Sequence, residues 1–174
     1  EVTVYVFDEQ GRYVTEKAEA NEDGLFPLKD DDYSMFFDLP EGKYQFVAYA
    51  QQRKYSELLS EDGAKFVRSR GLNDRNIMME DFNVELSHKV SDIDGNIYID
   101  HQNLPLDTLW HSKSDELVEV VQGKYVYHTL SLVRNTKVIS VVLRDIEEPD
   151  AMNIDDYDMY IDGANVILNH DNTP

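Results

Sequence analysis

The sequence predicts an all-β fold, an antiparallel β-sandwich of two sheets with at most short helical turns. Three observations predict it. Apolar residues recur with a period of two in short runs, as in Val2, Val4 and Val6. Turn signals separate the runs: Gly11, Pro40-Glu41-Gly42 and Asp94-Gly95. Little of the chain shows the 3.6-residue period of an amphipathic helix. The pattern amounts to roughly eight to ten short strands.

The first strand alternates Val2, Val4 and Val6 with Thr3, Tyr5 and Phe7, and Gly11 is free to take positive φ in the turn after it. Residues 16–33 are acidic and irregular. Residues 34–39 (SMFFDL) read as a second strand. Pro40 presets a turn that Gly42 closes. Residues 44–50 (YQFVAYA) are apolar on both faces, which predicts a central strand. Residues 51–82 are mostly polar, with helical turns expected near Leu58 and over residues 78–82. Val84 and Leu86 restart the alternation, and Asp94-Gly95 marks a hairpin. Residues 115–121 read as strand rather than helix, because valines dominate and Gly123 follows. Residues 125–133 and 136–143 look like two strands meeting at Arg134-Asn135. Residues 157–161 and 164–168 add shorter ones. The predicted core is Val4, Val6, Phe46, Ala48, Leu130, Leu132, Ile139 and Val141.

Composition narrows the function classes. The chain has 174 residues, enough for one domain with its own core, and 41% are apolar. Its formal net charge of -19 opposes nucleic acid and anionic lipid, both of which require clustered Lys and Arg. There is no cysteine, hence neither a disulfide framework nor a thiolate metal site. No apolar run approaches the roughly 20 residues that span a bilayer. The chain starts at Glu1 directly before a strand, which suggests a processed product.

The candidate sites are few. Asp92, Asp94, Asn96 and Asp100 place oxygens at alternate positions, as a calcium loop does. An EF-hand, however, requires Gly sixth and Glu twelfth, and here Gly95 is fourth and Asn103 twelfth, which favours an acidic hairpin. Asp155, Asp156, Asp158 and Asp162 have the same two readings, solvated run or cation site. His88, His101, His111, His128 and His170 show neither the i, i+4 zinc spacing nor an HExxH. His128 lies on the apolar face of a predicted strand and reads as a hydrogen-bonded core histidine. Trp110, the single tryptophan, is read as a core plug or as a stacking platform for a sugar. No nucleophile elbow, P-loop or dinucleotide fingerprint occurs, and no cofactor or catalytic activity is expected.

Five stretches in order resemble a known family: VTVYVFD with GRYV, LPEGKYQFVAYA, MMEDFNVEL, DTLWHS and LSLVRNTKVISVVL. Ser112 stands in the fourth stretch where glycine is usual. Together they resemble the amino-terminal domain of the Bacteroidales fimbrial anchor subunits of the Mfa2/FimB family, from about Val2 to Asn169. The resemblance implies a transthyretin-like sandwich in residues 1–174, the first domain of a two-domain surface lipoprotein. Residues 163–174 are expected to be a linker or the start of the next domain. It also implies a lipidated cysteine, absent from this chain, that holds the protein in the outer membrane. The implied role is to seat the fimbrial shaft, with other fimbrial subunits as partners joined by strand addition. The alternative role is a carbohydrate-binding or tip adhesin domain.

Overall fold

The structure is a computed structural model and describes residues 1–22, 27–69, 76–101, 104–142, 158–161, 163 and 166–174. Its main sheet is built from β1 (Val2–Asp8), β2 (Tyr13–Glu19), β3 (Gly42–Ala50), β8 (Trp110–Lys113), β9 (Val118–Val120) and β10 (Val133–Arg134). The spatial order is β10-β8-β3-β1-β2, with β9 also paired to β3 and every pairing antiparallel. A second sheet holds β4 (Phe66–Arg68), β5 (Asn83–Leu86) and β11 (Ile167–Asn169), with β5 central. β6 (His88–Val90) and β7 (Ile97–Ile99) form the hairpin that Asp94-Gly95 predicts. Helix is confined to α1 (Tyr55–Ser60) and 3₁₀ turns at Pro27–Lys29 and Met79–Asp81 among the described residues.

Gly11 takes φ +76°, the left-handed conformation its turn needs. The Asp8 carboxylate closes that turn by accepting from the backbone N–H groups of Gln10 and Arg12, each at 2.9 Å. β3 is central as predicted, flanked by β1 on one side and by β8 and β9 on the other.

The core departs from the expectation. Alternation along β1 creates two apolar faces, and the second sheet covers the aromatic one. Tyr5 and Phe7 of β1, Val47 and Tyr49 of β3 and Leu109 pack against Phe82 and Val84. Phe82 sits at the centre, with ring centroids 4.6 Å from Tyr5, 5.8 Å from Phe7 and 5.7 Å from Tyr49. Large rings bury the most apolar area per residue, so this face dominates the hydrophobic stabilisation. The predicted residues Val4, Val6 and Ala48 are buried on the opposite face, and Phe46 there is half-buried.

The other predicted core residues are corrected. Leu130 is only half-buried, and Leu132, Ile139 and Val141 are exposed. Residues 125–133 and 136–142 do not form the predicted long strands; only Val133–Arg134 enters the ladder. Residues 34–39 are likewise not a strand. They lie near the aliphatic face of the main sheet, where Phe37 packs on Phe46 at 6.1 Å. In each case the residues have β propensity but no neighbouring strand in register to complete their hydrogen bonds. Residues 158–161 form no strand, and residues 143–157 lie outside the described residues.

Candidate interaction surface

A buried arginine ties the two sheets together. Arg68, at the end of β4, points its guanidinium at the main sheet. It donates to Thr3 Oγ1 at 3.0 Å, to the Tyr5 hydroxyl at 2.7 Å and to Gln51 Oε1 at 2.8 Å. Its carbon Cζ lies 4.0 Å from the centroid of the Tyr55 ring, and the Tyr55 hydroxyl accepts from the Arg68 backbone N–H at 2.9 Å. A guanidinium tolerates burial when its donors are met and a π-face covers it. Burial pushes the Tyr5 phenol up to about 12, against the opposing pull of Arg68. With three of its donors met by the main sheet and Gln51, and the Glu1 carboxylate 4.0 Å away, Arg68 acts as an inter-sheet lock.

The opposite side of β3 carries an irregular seam. Val47 pairs with Lys113 and Tyr44 with Val118, so three steps along β3 answer five along the β8–β9 line. Buried Ser114 fills the gap: its N–H donates to the Phe46 carbonyl at 2.9 Å, and its Oγ accepts the Phe46 N–H at 3.0 Å. A side-chain hydroxyl thus completes the ladder where a backbone carbonyl is out of register. After β9 the chain turns at Gly123, with φ +74°, and returns alongside the seam. A polar hollow of about 190 Å³ opens between residues 112–115 and the returning His128, Thr129 and Ser131. The return segment reaches the ladder only at β10, the outer strand of the main sheet.

This segment carries the longest series of exposed large apolar side chains among the described residues. Tyr127 is 89% exposed, Val138 85% and Ile139 72%, with Tyr125, Val133 and Val142 also largely open. Scattered apolar side chains are ordinary on a protein surface, whereas a contiguous run beside an open sheet edge marks a contact site.

The other candidates occupy distinct places. Trp110 begins β8, opposite Ala50 and Arg134, and is half-buried rather than part of the buried core. Ser112 is buried opposite Ala48. His128 is exposed, not a core histidine; its ring stacks beside Phe46 at 6.2 Å, because the segment carrying it stays outside the sandwich. His111 is the buried histidine, with Nε2 2.9 Å from the His170 carbonyl and its ring 5.2 Å from that of Tyr49. Burial holds its imidazole below the usual value, and the bond to His170 opposes this only in part. Asp94 caps the hairpin, accepting from the Asn96 N–H at 3.0 Å and the Tyr98 hydroxyl at 2.7 Å, and these bonds bring its carboxyl down to about 2. Asp100 accepts from the Ser87 hydroxyl at 2.9 Å. Among the described residues no three His, Asp or Glu side chains gather as a metal site would require. Asp155, Asp156 and Asp162 lie outside the described residues. The sequence reading missed both Arg68 and the openness of the return segment. Arg68 had no signal in the sequence, where it stands between Lys65 and Arg70 and the side chains that hydrogen-bond to it are 13 to 65 positions away.

Comparison with known proteins agrees with this architecture. A family profile described as fimbrillin-A associated anchor proteins Mfa1 and Mfa2 matches residues 1–174. A crystal structure of a candidate polysaccharide-binding protein from Bacteroides thetaiotaomicron VPI-5482 superposes with a TM-score of 0.65 at 23% identity. That match covers 99% of this chain and 52% of the other. A candidate adhesin from the same organism superposes with a TM-score of 0.52 at 23% identity, covering 77% of this chain and 37% of the other. This chain therefore spans about half the length of the first and little more than a third of the second. No curated protein matches.

Proposed function

The chain belongs to the family of fimbrillin-A associated anchor proteins, and from that premise we propose that it is a structural subunit that seats a fimbrial shaft on the bacterial surface. The observation that carries this reading is the family match over the whole of residues 1–174. The proposed anchor works without chemistry: the sandwich is a rigid body, and other fimbrial subunits join it at an open strand edge. The β10 edge and the exposed return segment beside it support that mode of assembly. Residues 1–174 are proposed as one domain of a longer, two-domain protein, attached to the outer membrane through a lipidated cysteine outside this chain. The greater lengths of the two structural neighbours support this reading. Deleting the gene tests the anchor role. Fimbriae should then assemble but be recovered in the medium instead of on the cells. Fimbriae that stay cell-bound in the deletion strain would rule out anchoring and favour a tip position.

A second reading, carbohydrate binding, has one observation in its favour. Half-buried Trp110 lies opposite Arg134 at the open edge of the main sheet, and aromatic faces stack on sugars. The first structural neighbour is described as a candidate polysaccharide-binding protein. Glycan binding lost in Trp110→Ala, with the melting temperature unchanged, would support this reading. Early melting of that variant would assign Trp110 to packing.

A further inference from the structure

We infer that residues 121–142 form a docking surface for an extended, acidic segment of a partner subunit. This rests on the assembly reading above and adds the chemistry of the partner. The first observation is charge. From Val120 to Arg144 the chain has no Asp or Glu, although acids make up 35 of its 174 residues and would place about five in such a run. The same stretch carries Lys124, Arg134, Lys137 and Arg144, the first three exposed and the last outside the described residues. A molecule of net charge -19 thus has one run of 25 residues that carries cations and no acid, and its Arg134 lies on the outer strand β10 of the main sheet. Such a local reversal of sign steers and orients an oppositely charged partner.

The second observation is the apolar content of the same strip. Val138, Ile139, Val141 and Val142, which follow Lys137 directly in the chain, are open to solvent. Branched aliphatic side chains offer a sugar no stacking face, so residues 138–142 favour a polypeptide, whereas the exposed rings of Tyr125 and Tyr127 at the other end of the segment suit either partner. The third is position. β10 is the outer strand of the main sheet and pairs with β8 through only two residues. An incoming strand with apolar residues at alternate positions and carboxylates between them would match the edge, the aliphatic groups and the cations together. A second copy of this chain is disfavoured by repulsion between two bodies of charge -19.

The test uses a synthetic peptide of roughly ten residues alternating Val and Glu, about the length of a long strand. A Val–Lys peptide and polygalacturonate serve as comparators. The Val–Glu peptide should bind the whole chain, and its affinity should fall as salt screens the contact. The triple variant Lys124→Glu, Arg134→Glu and Lys137→Glu should weaken binding at least tenfold, about 1.4 kcal/mol, with an unchanged circular dichroism spectrum. Several results would overturn the inference: no binding of the Val–Glu peptide, equal binding of the Val–Lys peptide, or no effect of the triple variant. Polygalacturonate that binds and is not displaced by the peptide would assign the strip to glycan. A concentration-dependent dimer abolished by the triple variant would assign it to self-association. None of these results bears on where fimbriae go in the deletion strain, so the anchor reading fails or stands separately.

Discussion

Two buried tyrosines one strand apart carry opposite expectations. The Tyr5 hydroxyl accepts from Arg68, whereas the Tyr49 hydroxyl is buried with no hydrogen-bond partner among the described residues. Tyr5→Phe should cost about 1–3 kcal/mol, because it leaves a buried guanidinium donor unmet. Tyr49→Phe should be neutral or stabilising, since it removes a desolvated hydroxyl and keeps the ring. Urea unfolding of both variants checks the pair, and a larger loss at Tyr49 would contradict the assignment. His111 adds a pH dependence. Burial depresses its pKa, so the unfolded chain binds the proton more readily and stability rises with pH across the window between the two values. The full contribution is present above about 6.5, the unfolded value, and is lost as pH falls through the depressed folded value. His111→Gln should flatten this part of the pH–stability curve. None of these roles is visible in sequence, because hydrogen-bond satisfaction depends on residues more than 40 positions apart, as Tyr5 and Arg68 are.

At the scale of elements, period-two alternation located β1 and β5, a run apolar on both faces located β3, and the Asp94-Gly95 signal located the β6–β7 hairpin. Residues 34–39, 125–133 and 136–142 were also expected as strands, and of these only Val133 enters a ladder. Alternation reports that a segment suits a pleated surface; it does not report whether a partner strand is in register. The seam between β8 and β9 illustrates the difference, since the two extra residues there shift the ladder and Ser114 compensates. Ser114→Ala should therefore cost about 1–3 kcal/mol by stranding the Phe46 N–H. Gly11→Ala should cost about 1–2 kcal/mol through the left-handed backbone at that turn. Thermal melts followed by circular dichroism check both, and a neutral Ser114→Ala would mean that the ladder closes without the hydroxyl.

For the whole molecule, Phe82 is the point where the two sheets meet, so Phe82→Ala should cost about 3–5 kcal/mol. The surplus of acid should raise the melting temperature with added salt, which screens self-repulsion. The fold class was legible because strand and turn signals recur in both halves of the chain, outside residues 16–33 and 51–82. The interaction surface was only partly legible. Its residues were recognised as β-prone, but the same hydrophobicity that marks them was read as core. Only the arrangement of the sandwich shows that the second sheet covers the other, aromatic side. The central claim is that this sandwich joins fimbrial subunits through the strip beside β10. Hydrogen exchange of the whole chain with and without purified fimbrial subunits tests it most directly. New protection should concentrate in residues 121–142 and leave β2, the opposite edge, unchanged. Protection confined to β2 or spread over the acidic loops, with residues 121–142 unaltered, would contradict it.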